Sequence, residues 1–159
     1  MKVIFLDIDG VLTSRDSDSF IFECDPNNYQ LNHYCMECLK YILDKVEDLH
    51  IVISSSWRNY PDNHIMINNY GDVYKSLLPE VKLSFNEYIV GSAPHKSGFN
   101  KYEDISDYLS EHSEVVDFVI LDDDWSQGLQ GFGEQFFRIS MNTGLTYEVA
   151  KKVIEYFNS

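Results

Sequence analysis

Two carboxylates, Asp7 and Asp9, close the apolar run Ile4-Phe-Leu6 and are followed at once by Gly10. An unpaired carboxylate is costly to bury and two so close repel each other, so the pair anticipates a positive partner. Two further apolar runs end in polar groups: Ile51-Val-Ile53 in Ser54-Ser55-Ser56, and Val119-Ile-Leu121 in Asp122-Asp123-Asp124. Lys101 adds an ammonium ahead of a helical stretch. Acidic groups from two strand ends can share one hard divalent cation. Mg²⁺ suits such a set, because it takes oxygen ligands, keeps several waters and accepts a substrate phosphate. A serine hydroxyl and a lysine ammonium bind phosphate. Together these groups can hold a phosphoryl group in line with a carboxylate nucleophile, giving an aspartyl-phosphate. A second carboxylate two positions on can protonate the leaving oxygen and then activate water.

The elements that must position these groups follow from the hydrophobic pattern. Residues 2–6 (KVIFL) and His50 to Ser54 read as buried strands, and Val115 to Leu121 as a third that runs into the Asp triple. Leu31, Tyr34, Cys35, Cys38, Leu39, Ile42, Leu43 and Val46 recur at helical spacing, which predicts an amphipathic helix. Residues 102–111 predict a second helix, with Ile105, Tyr108 and Leu109 inward; a last helix over Tyr147 to Phe157 is capped by Thr146. Leu83 to Val90 and Phe136 to Ile139 read as further strands. Gly91 to Gly98 and the glycine-rich stretch from Gly128 to Gly133 read as loops, and residues 58–80 as one or two short helices punctuated by Pro61 and Pro79. Residues 11–29 are irregular, with Phe20-Ile21-Phe22 a strand of a small hairpin. Alternating strands and helices imply a Rossmann-like α/β fold, three layers deep, with a mainly parallel sheet. In such sheets functional groups gather at the carboxyl ends of the strands, beside the point where strand order reverses.

The chain has 159 residues, suited to one domain over 1–159, and 44% of them are hydrophobic, enough for a proper core. Its formal net charge is −14. Such a surface repels phosphate backbones, so a nucleic-acid end is an expected partner only if a basic protein delivers it. No signal peptide and no bilayer-length apolar run is evident, which excludes a membrane span. Three cysteines (Cys24, Cys35, Cys38) make an odd count that argues for a reducing, cytoplasmic setting.

Asp7-Ile-Asp9-Gly10-Val11, Ser54 after Ile51-Val-Ile53, Lys101 before a helix, and Ile120-Leu-Asp122-Asp123 resemble, in order, the four motifs of the haloacid dehalogenase (HAD) phosphohydrolases. Closer still, SSSWR at 54–58, VILDDDW at 119–125 and TGLT at 143–146 resemble the HAD subgroup related to domains of Swiss Army Knife RNA-repair type. The resemblance implies that Asp7 is nucleophile and metal ligand, and that Asp9 is the general acid and base with its backbone carbonyl on the metal. It implies that Ser54 with the Ser55 amide holds the phosphate, in a register that could slip by one residue. Lys101 would neutralise charge on the phosphoryl group and on Asp7, with Lys96 as its competitor. Asp123 would complete a Mg²⁺ site assisted by Asp122, the two interchangeable by one position. Many members carry a large cap domain. Here the 11–30 segment has room only for a squiggle and flap, which leaves an open site suited to a bulky phosphoester.

Other readings compete with each signal. An EF-hand loop puts its glycine sixth and closes on a glutamate, whereas Gly10 would be fourth and no such glutamate follows. Cys35-x-x-Cys38 suggests a metal or redox pair, but both cysteines fall on the apolar helix face and no second Cys/His pair completes a site. His64 and His95 read as loop or surface residues, Trp57 as core, and Arg58 as an ion-pair or substrate contact. A receiver-type phosphoacceptor domain orders its acidic residues differently and lacks the proton shuttle that Asp9 offers. A binding module of HAD shape without turnover is the other alternative.

Overall fold

The computed structural model describes residues 1–15, 32–55, 85–96, 98 and 100–159. Five strands form one all-parallel sheet in the order β3-β2-β1-β4-β5: β1 (Lys2–Leu6), β2 (Leu49–Ile53), β3 (Ile89–Ser92), β4 (Asp117–Asp122) and β5 (Phe136–Arg138). This is a Rossmann-like α/β fold. β1 lies at the centre because Val3, Ile4, Phe5 and Leu6 are all inaccessible to solvent, so its two faces both need cover. On one face Ile4, Leu6, Ile51, Ile53, Val119 and Leu121 pack under α1 (His33–Lys45) and the C-terminal helix. On the other, Val3, Phe5, Val52 and Ile120 meet Ile105 and Tyr108 of the helix Lys101–Glu111. The alternation of side chains along each strand thus separates two cores, one per face. Truncating a side chain such as Ile4 to alanine in either core costs about 2–5 kcal/mol.

The helices begin where short polar side chains satisfy their first amides. In α1 the Asn32 side chain accepts from Cys35 N, and Cys35, Cys38, Leu39, Ile42 and Leu43 face inward. The other α-helices among the described residues are α2 (Phe85–Tyr88), α3 (Lys101–Glu111) and α4 (Tyr147–Asn158). Asn100 and Glu103 form a reciprocal capping box on α3, and Thr146 caps α4. That box fixes the position of Lys101, the first helical residue. Among the described residues no helix is long and apolar enough to cross a membrane.

The expected strand at Leu83 to Val90 is displaced. Residues 85–88 form α2, and the strand runs from Ile89 to Ser92, taking in Gly91 and Ser92, which read as loop from sequence. A short apolar run does not declare its own structure. What places β3 is its pairing with β2, Ile89 opposite Ile51 and Ser92 opposite Ile53, with an irregularity between Ile51 and Val52. The glycine-rich stretch after Asp124 folds as two 3-10 segments, Trp125–Gln127 and Leu129–Gln135. Other element ends lie within two residues of expectation. The hairpin at 20–22, the helices at 58–80, most of the flap region, and Cys24, Trp57, Arg58 and His64 lie outside the described residues.

Candidate active site

Because every strand runs the same way, Asp7, Ser54, Ala93, Asp122 and Arg138 all stand at one edge of the sheet. The chain winds outward from β1 through β2 to β3, then crosses to β4 and β5, so strand order reverses between β1 and β4. Asp7 and Asp122-Asp123 flank that reversal, where the crevice of an open α/β sheet lies. Asp7 N donates to Leu121 O at 3.0 Å, which prolongs the β1–β4 ladder into the carboxylates, and Ser54 N donates to Leu6 O at 3.0 Å on the other side.

Carboxylate oxygens of Asp7, Asp122 and Asp123 lie within 4.8 Å of one another. Lys101 reaches into this group: its Nζ is 2.6 Å from Asp122 Oδ2 and 3.5 Å from Asp7 Oδ1. Among the described residues one ammonium faces three acids, and Asp9 adds a further negative charge close by. The Asp7 carboxyl is pushed up to about 7, first by burial; Lys101 opposes the rise, and Asp123 and Asp9 add to it. Asp122 is also pushed up to about 7, again first by burial and then by the Asp7 charge, against the pull of Lys101. Asp123 is raised by burial and by Asp122, with nearby Asp7 and Lys101 offsetting part of the rise. Among the described residues the carboxylates outnumber the ammonium that meets them.

The sharing of labour between Asp122 and Asp123 is geometric. Asp122 is fully buried; its Oδ1 accepts from Asp124 N at 2.8 Å and its Oδ2 from Lys101. Asp123 instead leans over the β1 turn. A Cβ on Gly10 would stand 2.5 Å from Asp123 Oδ2, and the φ of Gly10 is +76°. Glycine is therefore required there both for the left-handed backbone and for the approach of the carboxylate. Asp124 caps the first 3-10 segment, its Oδ1 accepting from Ser126 N and Ser126 Oγ, as a residue outside the cluster would.

Ser54 and Ser55 are buried at the end of β2, beside Leu6, and Asp9 is half-buried in the turn after Asp7. Lys96 pairs with Asp107 on the exposed side of α3, whereas Lys101 points to the carboxylates. His95 has more company than its sequence suggested: its Nδ1 lies 3.2 Å from Oδ2 of the buried Asp104, to which Lys96 N also donates at 3.4 Å, tying the loop after β3 to α3. Cys35 and Cys38 are packed in the core, and burial above all drives the Cys35 thiol up to about 12, which leaves it unreactive.

Several contributors carried little sequence signal of their role. Thr13 Oγ1 accepts from Gly10 N at 3.0 Å and closes the β1 turn; a hydroxyl three residues past the glycine hinted at it. Gly144, within TGLT, has a φ of +66°, and a Cβ there would stand 2.5 Å from Cys35 Sγ and 2.9 Å from Val11 O. Leu145 N donates to Val11 O at 2.7 Å, so this motif clamps the turn that carries Asp9 and Gly10. Gln127 Oε1 accepts from Lys101 N at 3.4 Å. Trp125 and Arg138 stand together at the same sheet edge, the guanidinium carbon 5.9 Å from the indole centroid.

The oxygen-only donor set, and its excess of carboxylates over ammonium groups among the described residues, fit a hard divalent cation. A family model described as "HAD domain in Swiss Army Knife RNA repair proteins" matches residues 3–150, nearly the whole chain. No curated protein and no solved structure matches it.

Proposed function

The chain belongs to the family of HAD domains in Swiss Army Knife RNA repair proteins, and from that membership we propose that it hydrolyses phosphomonoesters with Asp7 as nucleophile. The observation that carries this reading is the convergence of three strand-end carboxylates and Lys101 at the point where strand order reverses. Asp7, Asp123 and the Asp9 backbone carbonyl are the groups to hold Mg²⁺, with Asp122 behind them holding Lys101. Bound there, the ion supplies neutralising charge to the carboxylates and to the phosphoryl oxygens.

The protein's own groups then have distinct tasks. Ser54, the Ser55 amide and Lys101 bind and orient the phosphoryl oxygens. An Asp7 carboxylate oxygen attacks phosphorus as the bond to the leaving oxygen breaks, and Asp9 gives the leaving oxygen its proton, releasing the alcohol. Asp9, now ionised, takes a proton from a water that attacks the aspartyl-phosphate, releasing inorganic phosphate and restoring Asp7. The family description makes a nucleic-acid end the first substrate to try, and the short flap expected from the sequence leaves the site open to a bulky one.

A Mg²⁺-dependent phosphatase assay over small, protein and nucleic-acid phosphoesters tests the reading. Asp7→Asn is expected to lower kcat by about 10⁴-fold or more, and Asp9→Asn by about 10²–10⁴-fold. Full activity in Asp7→Asn would overturn the mechanism. Wild-type protein inert across the whole panel would leave a binding module in its place.

A further inference from the structure

Trp125 is a large apolar side chain that the fold leaves in solvent, and it does so beside the acidic centre. It follows Asp123 by two residues, so their Cα atoms are at most ~7 Å apart, and 58% of its surface is exposed even with Arg138 over its ring. Its position is held by the same groups that build the site. Asp122 accepts from Asp124 N, Asp124 caps the 3-10 segment that Trp125 begins, and that segment ends at Gly128 with φ +76°. Gln127, in the same segment, accepts from the amide of Lys101. Arg138 lies across the sheet from Asp122 in the β4–β5 register and is exposed. An exposed indole costs solubility and gains nothing from the core, whereas a rigid indole paired with a guanidinium suits a planar, electron-rich ring.

We propose that Trp125 and Arg138 form a stacking shelf for the nucleobase of the nucleotide whose phosphate enters the acidic centre. The inference rests on the phosphomonoesterase reading and names its substrate class. An aromatic ring that carries its phosphate directly, as in phosphotyrosine, enters with that phosphate. A shelf set to the side of the carboxylates matches a ring held away from its phosphate by a sugar. The shelf also meets the difficulty raised by a net charge of −14. Stacking on one base is worth about 1–3 kcal/mol and does not require a basic track along a backbone. Recognition is then confined to the terminal nucleotide, and the salt dependence of binding is shallow, about −0.7 in log–log slope for each phosphate contacted.

The chain has two tryptophans, so a Trp57→Phe background makes Trp125 the only indole. In that background with Asp7→Asn and Mg²⁺ present, fluorescence is titrated with adenosine monophosphate and with ribose 5-phosphate, which share phosphate and sugar and differ in the base. Saturable quenching by the nucleotide alone is expected. In otherwise wild-type protein, Trp125→Ala lowers the ratio of kcat/KM for the nucleotide over ribose 5-phosphate by about tenfold, Arg138→Ala lowers it less, and Trp125→Phe restores most of it. Equal quenching by both ligands, an unchanged ratio, or a Trp125 dependence seen for phosphotyrosine and not for nucleotides would overturn the shelf. Nucleotide-specific quenching without turnover of any phosphoester would keep the shelf and remove the phosphatase. Turnover of both phosphates at an unchanged ratio would remove the shelf alone.

Discussion

The two edges of the sheet treat their charges in opposite ways. At the amino edge, Asp48 lies 3.3 Å from the terminal ammonium and 3.1 Å from His50 Nε2, and these partners hold its carboxyl below the usual range. The terminal ammonium also donates to Glu114 O, Lys2 Nζ to Phe157 O, and Tyr156 Oη to Asp117. Charges there are solvated and matched. At the carboxyl edge Asp7 and Asp122 are buried, the carboxylates outnumber the cation among the described residues, and the protons of Asp7 and Asp122 are held more tightly than usual. Structural carboxylates are placed where a fold already offers compensation. An acidic group buried at a cost that the fold does not offset points to something outside the chain that does.

The sharpest way to break this contrast at the carboxyl edge, short of removing Asp7 itself, is to fill the space left for Asp123. Gly10→Ala puts a methyl 2.5 Å from the Asp123 carboxylate and forces alanine into a left-handed backbone. Mg²⁺ affinity, read by calorimetry, is expected to fall by about 10–100-fold, with phosphatase activity following it. Gly133→Ala separates the two effects. Its φ of +61° and ψ of −125° suit glycine alone, but nothing lies within 4 Å of its added Cβ, so it carries only a backbone cost of about 1–3 kcal/mol with Mg²⁺ binding retained. Equal Mg²⁺ affinity in the two variants would show that the Gly10–Asp123 approach has no part in the site.

That approach also shows where sequence reading stops. The strand ends were legible because strands buried on both faces need unbroken apolar runs, so Asp7, Ser54 and Asp122 each stood out against what preceded them. Lys101 was legible as a residue opening a helix, but its preference over Lys96 was not. It depends on the capping box that starts α3 at residue 101 and turns Lys96 toward Asp107. The split between Asp122 and Asp123 was equally hidden, since both carboxylates converge on Asp7 and only tertiary packing decides which of them meets the lysine. β3 was misplaced because four residues of edge strand carry less pattern than the pairing that positions them. TGLT was a resemblance without a cause until Gly144 was seen against Cys35 and Val11, a contact across more than a hundred residues.

A smaller effect sharpens the comparison through pH. With Asp7 and Asp122 at about 7 in the folded chain and near 3.8 when unfolded, the native state binds more protons between those values. Stability from this edge is therefore fully present below about pH 4 and lost as pH rises to about 7. Asp48 has the opposite sign: its contribution is present above its unfolded value of 3.8 and lost as pH falls below it. In metal-free protein, Asp7→Asn is expected to raise stability at pH 8 by on the order of 2 kcal/mol and to flatten the decline between pH 4 and 7. Urea melts at a series of pH values measure this. A variant as pH-sensitive as the parent would mean that the cluster is not held against its own repulsion.

The smallest effect belongs to the amino edge. Asp48→Asn removes a matched, exposed charge whose partners stay solvated, so it should leave phosphatase activity unchanged and reduce stability only slightly. Because the attraction acts through solvent, that reduction should shrink as salt is added. Asp7→Asn should not lose its stabilising effect in the same way, since buried charges are screened far less. Thermal melts of both variants at low and high salt place the two edges on one scale. If Asp48→Asn proved as salt-insensitive as Asp7→Asn, or reduced turnover, then the amino edge would hold a buried or functional charge too. The direction of a carboxylate's shift would then no longer distinguish a site from its scaffold in this fold.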